Sequence, residues 1–249
     1  MSYRLVRRYI NYMPESTTAR QFWVQRPGEG RIVTATLPAK RDDQVLIRAL
    51  YSGISLGTET LVFRGEVPPS QSEAMRAPFQ EGNFPAPVKY GYASVGEVID
   101  GPDSLEGVAV FCLYPHQDYY CVQEADITPL PEGLPPSRAV LAANMETAVN
   151  AVWDSRPTVG DEVVVIGAGV VGLFSAWLCQ QVPGTHVTVV DINPAKETVT
   201  EALGLTFVTE LPSDTQADVV LHASGQPEGL VSALTVAGLE ATVVDLSWY

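Results

Sequence analysis

The sequence predicts an α/β protein in two parts: a β-rich part over residues 1–148, then a doubly wound parallel sheet over residues 149–249. Three observations carry this reading. Short alternating or apolar runs bounded by turn residues fill the first part, as half-buried strands do. Beyond Glu162, apolar strand-like runs alternate with helix-like segments through short connections, the pattern of a parallel sheet with crossover helices. Between the first two of those runs lies Gly167-Ala168-Gly169-Val170-Val171-Gly172, answered by Asp191.

In the first part, Arg31–Thr36, Gln44–Leu50 and Ala93–Ile99 read as strands. The stretch from Glu66 to Val88 holds Pro68, Pro69, Pro78, Pro85 and Pro87 and is expected as a long surface or cleft loop. Pro135-Pro136 marks a helix start, and a helix is expected from near Ser137 to Trp153. Strands are then expected near 162–166, 186–191, 205–208, 218–223 and 240–246. No repeat or low-complexity tract interrupts the chain.

The glycine segment carries the strongest chemical signal. It follows four apolar residues, Val163 to Ile166, and precedes Leu173-Phe174-Ser175-Ala176-Trp177-Leu178, a plausible helix. Gly167 permits a sharp turn, Gly169 clears the backbone for a pyrophosphate, and Gly172 lets helix and strand pack closely. The free N–H groups of the helix start, at Val170 and Val171, then face the phosphates. Asp191 ends the run His186–Val190, 19 positions after Gly172, close to the interval a dinucleotide site requires. Its carboxylate can accept from ribose hydroxyls and would repel a 2′-phosphate. Ile192 follows, and Lys196 is the first basic residue, so NAD(H) is favoured over NADP(H). A turn-capping Asp191 is the plainer alternative. No charged residue falls between Glu162 and Asp191, but three glycines and Val182-Pro183-Gly184 break the stretch short of the roughly 20 apolar residues of a membrane span.

Composition narrows the function classes. The 249 residues carry a formal net charge of −14. Within residues 151–249 only Arg156 and Lys196 are basic, against 12 acidic residues. Such acidity opposes binding to a phosphate backbone, so nucleic acid is not expected as a partner. Cys112, Cys121 and Cys179 form no disulfide framework. Residues Met1 to Ile10 are basic without a following apolar core, so no signal peptide is expected. A cytoplasmic protein with no membrane partner is the expectation.

The order of these parts resembles the medium-chain dehydrogenase/reductase superfamily, the zinc alcohol dehydrogenase-like group, from about Ala19 onward. The resemblance rests on Ser52-Gly53-Ile54-Ser55-Leu56-Gly57-Thr58-Glu59, Gly91-Tyr92-Ala93-Ser94-Val95-Gly96-Glu97-Val98 and Pro129-Leu130-Pro131-Glu132-Gly133-Leu134. Phe63–Pro69, Pro87–Tyr92 and Leu113–Gln117 are similar to the subgroup named after bacteriochlorophyllide dehydrogenases, a name that assigns no substrate. The resemblance implies a GroES-like catalytic domain joined to a Rossmann domain. It also implies that Thr147 packs against a nicotinamide ring, and that Ala223, Ser224 and Gly225 border the adjoining ribose. His222 reads as a strand-end packing residue.

The departures bear on chemistry. Where the family draws zinc ligands, this chain has Ser55 or Leu56, Tyr92 with Ala93, and the neighbourhood of Ala143. These side chains cannot supply the thiolate, imidazole and carboxylate set that zinc needs. Cys112, His116 and Cys121 lie within ten residues, but their spacing fits no common zinc template. No metal is expected. By the same resemblance Tyr114-Pro115-His116 lines the substrate pocket. His116 could shuttle a proton, and Tyr92 or Ser55 could hydrogen-bond a substrate oxygen. The alternative is that Tyr92 and Ser55 only fill space and His116 is a hydrogen-bonded loop residue. Glu59 matches an acidic family position with no evident metal to serve.

The resulting expectation is a zinc-independent oxidoreductase moving a hydride between NAD(H) and an alcohol/carbonyl pair of a small molecule. A quinone- or enoyl-type NADPH reductase and a non-catalytic dinucleotide-binding protein are the rivals. The chain stops just after the fifth expected strand, at Leu246-Ser247-Trp248-Tyr249, so the Rossmann part reads as truncated or naturally short, with an exposed edge that could pair with a second copy in a homodimer.

Overall fold

The computed structural model describes residues 17–248. The basic segment Met1 to Ile10 lies outside the described residues, as does Tyr249. Two antiparallel sheets come first. One has strands β1 (Thr18–Arg26), β2 (Glu29–Thr36), β4 (Glu81–Gly82) and β5 (Val88–Lys89), in the order β2-β1-β5-β4. The other combines β3 (Gln44–Ser52), β6 (Ser94–Asp100), β7 (Ala109–Cys112), β8 (Tyr119–Gln123) and β9 (Ile127–Pro129), in the order β8-β3-β6-β7-β9. Helix α1 (Leu56–Arg64) follows β3 directly. Val45, Ile47, Val98, Val110, Tyr120 and Val122 form the buried core of the larger sheet, with Tyr114 stacked on Tyr120 at 3.9 Å between ring centroids.

The Pro-rich stretch is more deeply folded than a surface loop. Val67, Met75 and Ala77 are buried against Val24, Val62 and Val88, and the Tyr90 hydroxyl donates to the Met75 carbonyl at 2.7 Å. Its prolines forbid a regular ladder but leave apolar side chains free to enter a core.

Two helices, α2 (Pro136–Ala139) and α3 (Ala142–Ser155), stand where one was expected. The break at Val140 and Leu141 seats the Val140 side chain against Gly53: a Cβ on Gly53 would lie 3.1 Å from Val140 Cγ2. Tertiary packing has overridden local helix propensity here. The expected division at 148/149 falls inside α3.

The remaining elements alternate: β10 (Glu162–Ile166), α4 (Val170–Cys179), β11 (His186–Val190), α5 (Glu197–Ala202), β12 (Thr206–Val208), β13 (Ala217–His222), α6 (Pro227–Val236) and β14 (Ala237–Asp245). The five strands are parallel in the order β12-β11-β10-β13-β14. Val163, Val165, Val189, Val219 and Leu221 pack on one face and Val164, Ile166 and Val220 on the other. Burial on both faces is why these strands read as continuous apolar runs. The order reverses beside β10, the switch point at which open parallel sheets leave a crevice.

Candidate active site

Register brings the residues expected to hold a dinucleotide to one edge. Ile166 pairs with Val190 on one side and with His222 on the other. Gly167, Asp191 and Ala223 therefore leave the sheet together. Gly167 N–H donates to the Val190 carbonyl and Ala223 N–H to the Ile166 carbonyl, each at 2.8 Å. Gly167 has φ +107°, and a Cβ there would lie 2.7 Å from Ser224 N. A Cβ on Gly172 would lie 2.0 Å from the Gly167 carbonyl oxygen, so this glycine sets the helix–strand contact. A Cβ on Gly169 would meet nothing within 4 Å. Gly169 is the N-cap of α4, and the first intrahelical bond runs from Leu173 N–H to its carbonyl at 2.9 Å. The N–H groups of Val170, Val171 and Gly172 are thus the donors that a helix start leaves to a ligand.

Asp191 is half-buried and caps two turns. Oδ2 accepts from Ala168 N–H at 2.8 Å and Oδ1 from Asn193 N–H at 2.9 Å. The turn-capping role set out as the plainer alternative is therefore real. A carboxylate offers about four lone-pair sites, so two remain for hydroxyls. Ile192 beside it is 92% exposed, which leaves an apolar surface on which an adenine can rest.

The nearby Ala223–Gly225 loop is held from beneath. His222, fully buried, bonds Asp245 Oδ1 through Nδ1 at 2.9 Å and Ser224 Oγ through Nε2 at 2.7 Å. Ser224 Oγ also accepts from Gln226 N–H at 3.3 Å, and Ser247 Oγ accepts from Gly225 N–H at 3.0 Å. An ionised Asp245 accepts from Nδ1–H, leaving Nε2 to accept from Ser224 O–H. His222 thus ties together the loops that follow β13 and β14, a connecting role more specific than strand-end packing. Thr147 lies half-buried on α3, with its hydroxyl on the Ala143 carbonyl at 3.1 Å.

A second constellation gathers three side chains distant in sequence. His116 Nδ1 is 2.5 Å from Ser52 Oγ, and Nε2 is 2.5 Å from Glu59 Oε2. Glu59 Oε1 accepts from Ser55 N–H at 2.8 Å. His116 and Glu59 side chains are only 14% and 12% exposed, whereas Ser52, at the end of β3, is exposed. Ser55 thus joins the cluster through its backbone at the start of α1, and Ser52 supplies the hydroxyl facing the imidazole. Tyr92 is half-buried and meets Tyr90 edge-on at 6.1 Å, while its neighbour Gly91 packs on the His116 ring. Tyr114 lines a cavity of about 580 Å³ with Gln21, Trp23 and Gln117.

Zinc does not fit the positions at which the family resemblance would place it. Ser55, Leu56, Tyr92, Ala93 and Ala143 offer no thiolate, imidazole or carboxylate. Among the described residues no three His, Cys, Asp or Glu side chains converge. Cys112 is buried in β7, and desolvation pushes its thiol up to about 12.

Comparison with known proteins places this geometry. Residues 144–244 match the family model described as alanine dehydrogenase/PNT, C-terminal domain. L-threonine 3-dehydrogenase of Rhizobium rhizogenes is 27% identical over 129 residues, covering 52% of this chain and 37% of that protein. The Aeromonas salmonicida enzyme of the same name is 26% identical over the same lengths. The chain therefore spans little more than a third of these curated relatives. Among solved structures, a protein of Sinorhizobium meliloti described as a zinc-binding dehydrogenase and bound to NADP superposes with TM-score 0.76 at 18% identity, covering 93% of this chain and 77% of that one. An Escherichia coli alcohol dehydrogenase complexed with NADH gives TM-score 0.75 at 18% identity over the same shares. The chain has the fold of these solved dehydrogenases.

Ser52 was not among the residues singled out from sequence. It is 64 positions from His116, and only the pairing of β3 with β6 and β8 brings the two segments together.

Proposed function

We propose that this protein is an oxidoreductase that moves a hydride between NAD(H) and an alcohol/carbonyl pair without zinc. The carrying observation is the sheet edge at which the open Gly169 turn and the Asp191 carboxylate stand together. When bound, the nicotinamide supplies or accepts the hydride. This chain's residues do the rest. Val170, Val171 and Gly172 N–H groups hold phosphate, Asp191 accepts from the adenosine ribose, and the His222-braced loop with Thr147 borders the nicotinamide end.

Asp191 disfavours a 2′-phosphate, which supports NAD(H) over the NADPH of the quinone- and enoyl-type reading. Residues 1–148 would then bind the small-molecule substrate and residues 149–249 the dinucleotide. The test is oxidation of a panel of primary and secondary alcohols by chelator-treated protein with NAD⁺, with zinc content measured on the same sample. Turnover below stoichiometric zinc is the expected result. Activity restored only by added zinc, or seen only with NADP⁺, would overturn the proposal. Tight NADH binding with no turnover on any substrate would favour a non-catalytic binding protein.

A further inference from the structure

Oxidising an alcohol releases a proton as well as a hydride, and a site shielded from water needs a side chain to take it. We infer that Ser52 is that group, an activated hydroxyl whose proton passes to His116, with Glu59 as the positioning residue. This rests on the hydride-transfer reading, because it names the proton route of the same site.

For a neutral imidazole the hydrogen bonds allow one self-consistent direction. Glu59 is acceptor-only when ionised, and its Oε1 already takes Ser55 N–H at 2.8 Å. Its Oε2 therefore accepts from His116 Nε2–H at 2.5 Å. That fixes the neutral tautomer with Nδ1 unprotonated, and Nδ1 accepts from Ser52 O–H at 2.5 Å. The imidazole cannot turn away: Gly91 packs on its Cδ2 and Nε2, and Phe22 meets it edge-on at 6.5 Å. His116 and Glu59 are nearly closed to water, so the exposed Ser52 hydroxyl is the cluster's outward end. A nucleophile or proton donor, a base and a carboxylate that orients the base are the parts of an activated-hydroxyl site.

The next residue, Gly53, packs on Val140, between α2 and the helix that carries Thr147. Helix α3 in turn packs on α4, β13 and β14. The Ser52 loop and the dinucleotide edge are thus joined through one short run of chain.

In the oxidation direction the alcohol C–H bond breaks and its electron pair leaves with the hydride to the dinucleotide, which is reduced. The alcohol O–H proton goes to Ser52 Oγ as the Ser52 proton moves to His116 Nδ1, and the C=O bond forms. Glu59 stabilises the imidazolium that results. The reverse sequence serves reduction.

An activated serine also reacts with a fluorophosphonate, whose phosphorus bonds to Oγ as fluoride leaves, and this readout needs neither substrate nor cofactor. The experiment is labelling of the intact protein with a biotinylated fluorophosphonate, located by peptide mass spectrometry, with NADH binding measured for every variant. Ser52 is expected to carry the label. S52A should abolish labelling, and H116A should slow it at least tenfold, with partial recovery in added imidazole. E59Q should slow it and E59D should retain more, a rescue that a merely structural carboxylate would not give. H116N serves if H116A does not fold. No label on Ser52, or equal rates in wild type and in the folded His116 variants, would overturn the relay. Loss of NADH binding in wild type would instead overturn the hydride-transfer reading.

Discussion

At the scale of single residues, burial governs the titrating groups. Desolvation raises the Cys112 thiol to about 12 and the Cys179 thiol to about 11, and raises the phenols of Tyr90, Tyr114 and Tyr120 above their ordinary value. The folded protein therefore holds these protons more tightly than the unfolded chain does. The stability so contributed is complete below the unfolded values near pH 9–10 and is lost as pH rises through the folded ones. Urea denaturation should accordingly show lower stability at pH 10.5 than at pH 8; an unchanged midpoint would count against this. At pH 8 a disulfide reagent should leave Cys112 and Cys179 unmodified in native protein and reach all three thiols in denaturant. Rapid native reaction of Cys179 would mean that α4 is not packed as described.

At the scale of the element, the glycine turn separates stability from binding. Gly172→Ala drives a methyl into the Gly167 carbonyl and should cost about 1–3 kcal/mol in thermal or urea denaturation. Gly169→Ala enters open space and should leave the melting temperature unchanged while weakening NADH binding at least tenfold. If G169A binds NADH as wild type does, no phosphate approaches that backbone. The loop after β13 gives a parallel test. His222→Ala removes the bridge from Ser224 to Asp245, and should lower both the melting temperature and NADH affinity. A loss of stability alone would confine His222 to packing.

This second part was the more legible in sequence, for a physical reason. A strand buried on both faces, a glycine turn and a closing acid are all local patterns, so β10, α4 and β11 announce themselves. The Ser52–His116–Glu59 cluster has no local pattern, because the pairing of β3 with β8 brings Ser52 to His116 and helix α1 adds Glu59. His116 was identifiable by its chemistry, whereas Ser52, three residues before the Ser55 expected to meet a substrate oxygen, was not. The broken helix at Val140 was equally hidden, since its cause is the contact with Gly53.

At the scale of the whole molecule, strand β3, helix α1 and the loop between β7 and β8 carry the Ser52–Glu59–His116 cluster, a five-stranded parallel sheet carries the edge proposed for a dinucleotide, and α2 and α3 lie between them in the chain. No helix among the described residues is long and apolar enough to cross a membrane. The fold is shared with solved zinc-type dehydrogenases, so the fold alone does not decide the chemistry. All of the proposed chemistry depends on that edge accepting a dinucleotide. The most direct test is a fluorescence titration of metal-free protein with NADH and with NADPH. NADH binding at least tenfold tighter than NADPH is the result predicted, with the preference lost in D191N; tighter NADPH binding, or binding of neither, would contradict the account.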